Sequence, residues 1–205
     1  AEGAAEPRDA AGCAAFEVAQ VGAGYVLTPP LIGQPFAIFL LPASAAGEVP
    51  QMLRAWAEKY WQTDAEPELA PLAAFHALRW EARFAFPPME LTPGDLPQEA
   101  LRGEEAVSYT KGCYLGQEVM ARLHSMGKTQ RVLAAVELED CVAHAIAEFP
   151  VTLYCGEKKA GELREPIAIP GKAVAFAMLK RSLLDAGQTL TIKGTEKPVL
   201  RRIFT

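Results

Sequence analysis

Residues 111–118 read Lys-Gly-Cys-Tyr-Leu-Gly-Gln-Glu, and this is the stretch of the chain most densely supplied with groups that carry chemistry. It brings together an ammonium group, a thiol, a phenol, an amide and a carboxylate, with two glycines that let the backbone turn sharply or approach a ligand. An ammonium group favours the nucleophilic thiolate of a cysteine that it approaches, which makes Lys111 and Cys113 candidate catalytic residues. The alternative is that Cys113 is a small, buried, hydrophobic residue in a glycine-containing turn.

The composition around this stretch is that of a globular protein. Of the 205 residues, 50% are hydrophobic and 22% are charged, which argues against wholesale disorder. The length fits one large domain or two small ones. No apolar stretch is long enough to span a membrane, and the net charge of −5 argues against nucleic acid as a direct partner. We therefore expect neither a membrane nor a nucleic acid among the partners.

The balance of charge changes just after residues 111–118. Residues 1–125 carry 8 basic and 16 acidic side chains, whereas residues 126–205 carry 12 basic and 9 acidic ones. Such an asymmetry indicates a domain boundary near residue 125.

The four cysteines stand at positions 13, 113, 141 and 155. None belongs to a Cys-x-x-Cys pair, and no cysteine and histidine have the spacing of zinc ligands, so we predict no metal site. A chain of this size does not need disulfide bonds to fold. The cysteine pattern therefore favours a reducing, cytoplasmic setting, and it leaves a pairing of Cys141 with Cys155 open.

The chain before residue 90 has the pattern of strands followed by helices. Apolar and β-branched runs at 14–20 and 25–28 flank a glycine-bearing turn, which predicts a hairpin. Residues 36–41 are typical of a buried strand, and the apolar spacing of residues 49–60 and 72–82 predicts two helices. This order of elements indicates an α+β layer.

The chain after residue 131 has a different sequence pattern, in which short apolar runs alternate with turns rich in Gly, Lys and Glu. Runs at this spacing are typical of a small antiparallel barrel or sandwich. We therefore predict an α+β domain over residues 1–128 and a C-terminal antiparallel β-barrel over residues 129–205. The runs lie at residues 132–138, 149–154, 173–179, 189–192 and 199–204.

The octapeptide at 111–118 resembles the signature of the YgfZ family, the folate-binding relatives of the glycine-cleavage T-protein, an aminomethyltransferase. Residues 78–82 (Leu-Arg-Trp-Glu-Ala) resemble the Arg-x-Glu-Ala helix end of that family. Residues 96–99 (Leu-Pro-Gln-Glu) resemble its Leu-Pro-x-Glu element. The resemblance covers residues 75–185 well and the first 60 residues poorly.

The resemblance implies a T-protein-like folate-binding body followed by a C-terminal β-barrel. It also implies tetrahydrofolate as the cofactor and a role in the assembly or repair of iron–sulfur clusters, with an effect on tRNA modification that depends on them. The implied partners are iron–sulfur assembly or client proteins.

The resemblance assigns roles residue by residue. Cys113 matches the functional thiol of the family, and Glu81 matches a carboxylate that faces the pterin in the T-protein relatives. A carboxylate suits that position because it can accept two N–H hydrogen bonds from the pterin edge. Trp80, beside Glu81, is a candidate for stacking on the pterin. The full set of candidate cofactor-binding residues is Arg79, Trp80, Glu81, Gly112, Tyr114, Gly116, Gln117 and Glu118.

The sequence also departs from the family. The Arg-x-Glu-Ala element usually continues into Gly-x-Pro, but here residues 83–85 are Arg-Phe-Ala, and Pro88 stands where a glycine is common. Arg83 is expected either to narrow the pocket or to supply a cation for folate carboxylates. The chain is also expected to lack the N-terminal segment that completes the folate cavity and carries the Asp-bearing region used in methylene transfer.

The sequence is compatible with three functions. The preferred function is that of a folate-binding accessory protein in iron–sulfur maintenance. The first alternative is a tetrahydrofolate-dependent one-carbon enzyme of the aminomethyltransferase kind, against which the missing Asp-bearing segment argues. The second alternative is a non-catalytic interaction module in which residues 111–118 form a docking loop.

Overall fold

The structure is a computed structural model that describes residues 17–21, 24–28, 37–62, 68–139, 146, 148–184, 189–193 and 198–204. The chain divides into two compact units, one ending at Pro71 and one running from Leu72 onward. The boundary expected near residue 128 lies inside the second unit, and the predicted division into domains stays a prediction. The start of the hairpin at 14–16, the turn at 22–23, Cys13 and Cys141 lie outside the described residues.

The first unit contains the predicted hairpin, strand and helix. The prediction that the strand within residues 36–41 is buried is wrong, because Ile38 and Leu40 are exposed and Phe39 is only half-buried. Strands β1 (Glu17–Val21), β2 (Gly24–Thr28) and β3 (Ile38–Leu40) form an antiparallel sheet in that order. A 3-10 turn at Ala43–Glu48 leads into helix α1 (Val49–Trp56), and the chain then widens into a π-helical turn. Trp56 is buried and meets the ring of Phe39 edge-on, with 5.8 Å between the ring centroids.

Within its described residues, the second unit contains four helical segments and a seven-stranded antiparallel sheet. The helices are α2 (Leu72–Glu81), α3 (Gly103–Ala106), α4 (Gln117–Met126) and α5 (Arg181–Leu184). The strands are β4 (Arg131–Leu138), β5 (Val151–Cys155), β6 (Lys158–Leu163), β7 (Ile167–Ile169), β8 (Lys172–Lys180), β9 (Thr191–Ile192) and β10 (Leu200–Phe204). They lie in the order β10-β4-β8-β6-β5-β9, and β7 pairs with β8 as well.

The mixed α/β architecture agrees with the predicted fold class, and the sheet is curled like part of a barrel. Among the described strands, no pairing joins β10 to β9 at the two ends of the sheet. The closed barrel therefore stays a prediction.

Strand β8 is the centre of this sheet and is buried on both of its faces. Successive side chains of a strand point to opposite faces, so an apolar run is expected where both faces are covered. Val174, Phe176 and Met178 belong to one core cluster, which also contains Trp80 of α2. Ala175, Ala177 and Leu179 belong to a second cluster on the other face.

The connector between α2 and α3 is attached to the sheet by charged side chains. Asp95 forms an ion pair with Arg164, 2.9 Å between Oδ2 and Nη2, and both side chains are nearly inaccessible. Glu99 accepts two hydrogen bonds of 2.8 Å from the guanidinium of Arg131, and this hydrogen bonding raises the pKa of Arg131. The carbonyl of Glu99 also accepts the backbone N–H of Leu133 at 2.7 Å.

Strands β6 and β8 approach each other closely at Gly161. A Cβ atom placed on Gly161 would lie 2.2 Å from the carbonyl oxygen of Met178 and 3.0 Å from the Cα of Leu179. Both of these are backbone atoms, which cannot turn aside as a flexible side chain would. Glycine is therefore required here by the distance between the strands.

We predict that Gly161→Ala destabilises the second unit by about 2 kcal/mol, because the strands must move apart or the core must distort. Urea unfolding followed by circular dichroism measures the change. Gly94→Ala is the matched control, since a Cβ at Gly94 has nothing within 4 Å. Equal stabilities of the two variants would contradict the prediction.

Candidate functional site

The predicted catalytic segment lies on the surface just before α4. Lys111, Gly112 and Cys113 are exposed, and Cys113 is a free thiol. The alternative that Cys113 is a small buried residue is therefore wrong. An exposed thiol at a turn is accessible to a small molecule or to a partner protein.

Gly116 shapes the turn that leads into α4. Its φ of 87° lies in the left-handed region, which glycine adopts without steric cost. The carbonyl of Gly116 accepts the N–H of Met120 at 3.2 Å, and the carbonyl of Tyr114 accepts the N–H of Gln117 at 3.2 Å. These bonds set the start of the helix at Gln117, just after the turn that carries Cys113 and Tyr114. Gly112, in contrast, has neither a positive φ nor a close neighbour that excludes a Cβ.

The Lys111 ammonium lies 4.7 Å from the ring centroid of Tyr114, within the range of a cation–π contact. The backbone N–H of Lys111 donates to the Ser108 hydroxyl at 3.2 Å. The Tyr114 hydroxyl is buried and has no hydrogen-bond partner among the described residues. Lys111 is thus close to the turn that carries Cys113, and its action on the thiol stays a prediction.

The two remaining signature residues lie in the first turn of α4. Gln117 is half-buried and Glu118 is exposed. A carboxylate in the first turn of a helix interacts favourably with the positive end of the helix dipole. An acidic residue at position 118 therefore stabilises α4, independently of any role in binding a ligand.

Arg79 is buried and forms part of a charged pair inside the second unit. Its Nη1 and Nη2 donate to the two carboxylate oxygens of Glu90 at 3.0 and 2.9 Å, and its Nε donates to Nδ1 of His76 at 2.8 Å. Only 1% of the Arg79 side chain and 2% of the Glu90 side chain are exposed. Arg79 thus fixes the C-terminal end of α2 through its bonds to His76 and Glu90. A contact of Arg79 with a cofactor stays a prediction.

Trp80 and Glu81 lie on different sides of α2, as neighbouring helical residues do. Trp80 is 5% exposed, its Nε1 donates to the carbonyl of Ala175 at 3.2 Å, and its ring meets Phe204 edge-on at 5.3 Å. Glu81 is exposed and has no hydrogen-bond or ion-pair partner among the described residues. The structure therefore leaves Glu81 available to a ligand, whereas a stacking role for Trp80 stays a prediction and requires its ring to be uncovered.

Arg83 occupies a left-handed position directly after α2, with φ of 56°. The N–H of Phe84 donates to the carbonyl of Arg79 at 2.6 Å, and that of Arg83 donates to the carbonyl of Trp80 at 2.9 Å. This is the helix ending at which glycine is favoured. The backbone thus gives a physical reason for the glycine that the related family usually has at this position.

Glu90 is the residue of this region that sequence reasoning missed. It follows Phe86-Pro87-Pro88, and its carboxylate accepts the N–H of Phe86 at 2.7 Å in addition to the two bonds from Arg79. Only the two prolines signalled a turn at this place, and no periodic pattern connects Arg79 with Glu90.

Among the described residues, no group of three or more His, Cys, Asp or Glu side chains is arranged to hold a metal ion. No described helix is long and apolar enough to cross a membrane.

The chain is similar in sequence to two known proteins. The chain is 39% identical over 74 residues to the mouse (Mus musculus) protein named iron-sulfur cluster assembly factor IBA57, mitochondrial. These aligned residues make up 35% of this chain and 21% of the mouse protein. It is 26% identical over 108 residues to an uncharacterized protein of Haemophilus influenzae, covering 52% of the chain and 38% of that protein. The resemblance to the YgfZ family is confirmed.

The fold is similar to that of a solved aminomethyltransferase structure. The glycine cleavage system aminomethyltransferase T of Bartonella henselae superposes with a TM-score of 0.60 at 16% identity, over 87% of this chain and 47% of that one. No family model matches the chain. The chain spans 21% and 38% of the lengths of the two curated relatives that it matches.

We predict that Arg83→Gly raises the free energy of unfolding by about 1 kcal/mol, because glycine relieves the left-handed strain. The side chain of Arg83 also makes a contact, so Arg83→Ala serves as the control that removes the side chain and keeps the strain. Thermal and urea unfolding measure both variants. The prediction fails if Arg83→Gly is no more stable than Arg83→Ala.

Proposed function

We propose that this chain belongs to a folate-binding accessory protein that supports the assembly or repair of iron–sulfur clusters, and that Cys113 is its reactive group. The observation that carries the proposal is the exposed free thiol of Cys113 at the head of α4, within the YgfZ-like signature. The similarity to a mouse protein named as an iron-sulfur cluster assembly factor supports the same function.

Cys113 acts together with a partner in this proposal. A cluster bound by cysteines needs four thiolates in the usual case, and the signature supplies one. An accessible thiolate can exchange with another thiol or ligate iron transiently, provided that nothing covers it. Iron–sulfur assembly or client proteins are therefore the partners that this surface serves.

Folate binding rests mainly on Glu81. Its exposed carboxylate is able to accept two N–H hydrogen bonds from an amino-pyrimidine edge. Tetrahydrofolate, when bound, supplies a reduced pterin that carries one-carbon groups. In this proposal Glu81 orients the pterin ring. Cys113 contributes the accessible thiol.

The finer features of the family belong to the same proposal. We propose that the curled sheet is part of a small C-terminal barrel in the whole protein and that the protein works in the cytoplasm. We also propose that tRNA modification is affected through the iron–sulfur enzymes that it supports. The cysteine pattern favours the reducing compartment.

The two alternative functions give different outcomes. An aminomethyltransferase-like enzyme turns over a methylamine-type donor with tetrahydrofolate, and a pure interaction module binds no folate but copurifies with a cluster-assembly protein. The fold similarity to an aminomethyltransferase keeps the first alternative open to test.

We predict that Cys113→Ser, in the whole protein, fails to restore iron–sulfur enzyme activity in a strain lacking its own copy, because serine neither exchanges thiols nor binds iron as a thiolate does. Cys155→Ser is the matched control, since Cys155 is half-buried in β5 and lies outside the signature. Activities of purified client enzymes are measured at equal amounts of each variant. Full rescue by Cys113→Ser would overturn the proposed role of the thiol.

We predict that tetrahydrofolate binds saturably at micromolar concentration and that Glu81→Gln weakens the binding about tenfold, because charge-assisted hydrogen bonds to the ring are lost. Tryptophan fluorescence and calorimetry measure the dissociation constants. Glu157→Gln, in the exposed turn between β5 and β6, is the control for net charge. Unchanged affinity in Glu81→Gln removes Glu81 from the site, and the absence of any binding favours the interaction module.

A further inference from the structure

A cavity of about 350 Å³ lies in the second unit beside the C-terminal half of α4. This volume is within the range of small-molecule sites. None of the predicted catalytic or folate-binding residues lines it. The lining residues are Gln98, Leu101, Gly103, Tyr109, Leu123, His124, Gly127, Lys128, Thr129 and Arg181.

The charge of the lining is of one sign. Lys128 and Arg181 contribute cations, His124 contributes an imidazole, and no Asp or Glu is among the lining residues. Within the described part of the chain, neither Lys128 nor Arg181 is paired with a carboxylate. This differs from the neighbouring cation Arg131, which Glu99 neutralises. An anion in the cavity would therefore meet cations that no carboxylate of the wall neutralises.

Arg181 is held at the wall by the backbone. Its Nε donates to the carbonyl of Thr129 at 3.2 Å, and its own N–H donates to the carbonyl of Gln130 at 2.9 Å. No described residue forms a hydrogen bond with the two terminal nitrogens of its guanidinium. A guanidinium suits the two oxygens of a carboxylate or phosphate. A cation fixed in this way loses little conformational freedom when an anion binds.

An aromatic pair forms another part of the wall. The rings of Tyr109 and His124 are stacked, with centroids 4.0 Å apart and planes at 27°. The Tyr109 hydroxyl accepts a hydrogen bond of 3.3 Å from Nε2 of Gln98, whose amide also contacts Met120. Gln98 thus fixes the aromatic wall beside the cations.

We propose that this cavity is a binding site for a small organic anion, a flat ring that bears a carboxylate or a phosphate. The oxyanion lies between Lys128 and Arg181, and the ring packs against the Tyr109–His124 wall. The cavity exceeds what a bare phosphate ion needs, which is why the ligand includes an organic part. The site does not depend on the proposed folate site, since the two share no residue.

The test uses phenyl phosphate, benzoate and inorganic phosphate as probes, with binding measured by calorimetry and by the amide NMR signals of Gly127 and Thr129 in the cavity wall. We expect phenyl phosphate or benzoate to bind with a submillimolar dissociation constant and to shift both signals. Inorganic phosphate is expected to bind at least about fivefold more weakly, because it buries no apolar surface. The tighter of the two aromatic probes identifies the oxyanion. Equal binding of phenyl phosphate and inorganic phosphate overturns the organic part of the proposal.

Lys128→Gln is the decisive variant, because Lys128 is exposed and its replacement disturbs no described contact. We expect it to weaken binding about fivefold, since it removes a charge-assisted contact in a partly exposed site. Arg181→Gln is expected to weaken binding at least as much. Arg122→Gln removes the same charge from an exposed position of α4 outside the cavity, and we expect a change of less than about twofold from it.

Two results would overturn the site. One is the absence of shifts at Gly127 and Thr129 with every probe at millimolar concentration. The other is an equal effect of Lys128→Gln and Arg122→Gln on binding, which would mean that the probe is attracted by the net charge of the protein and not by the cavity. Neither result bears on the iron–sulfur role of Cys113 or on tetrahydrofolate binding at Glu81, so the two proposals fail separately.

Discussion

Strand β8 is buried on both faces, and the elements around the candidate site are attached to it directly or through one further strand. On one face it receives α2 through the hydrogen bond from Trp80 to the carbonyl of Ala175. On the other it forms a separate apolar core with its neighbours in the sheet. Because packed interiors tolerate little change in shape, the position of the C-terminal end of α2, and with it Glu81, is set by this strand.

The connector that precedes the signature is held by charges rather than by apolar packing. Asp95 and Glu99 are nearly inaccessible; Asp95 is paired with Arg164, directly after β6, and Glu99 with Arg131 of β4. The Asp95–Arg164 pair is buried on both sides, and removing one partner of such a pair costs about 3–5 kcal/mol, because the other charge stays buried without compensation. These pairs therefore fix the connector against the second unit before the chain reaches the turn of Cys113.

Much of the fold could be predicted because its elements have strong apolar patterns. The periodic helices α1 and α2 and the continuous apolar strands β4 and β8 were expected at or near their observed positions. Strand β6 was not, since its sequence Lys-Lys-Ala-Gly-Glu-Leu is typical of a turn, and it forms a strand because Gly161 allows a close approach to β8. The conformation of that segment is therefore determined by tertiary packing and not by its local sequence preference.

The site was predictable in a different sense. The octapeptide carried the resemblance to the YgfZ family and drew attention to Cys113. The surroundings of the residues of α2 could be seen only in the structure. Arg79, Trp80 and Glu81 are consecutive, yet a helix turns by about 100° at each residue, so they face different surroundings. The ion pair of Arg79 with Glu90 joins residues eleven apart across a proline turn, and no periodicity reveals such a contact.

Helix α4 has no buried residue, although it begins inside the signature. Free energies of local opening follow burial, so this helix is expected to exchange its amide hydrogens far sooner than β8 does. A partner that binds the turn of Cys113 is thus able to unwind or redirect the first turns of α4 without disturbing the sheet. The exposed thiol of Cys113 thus lies just before a helix that is easily reshaped, and that helix adjoins a sheet core that resists a change of shape.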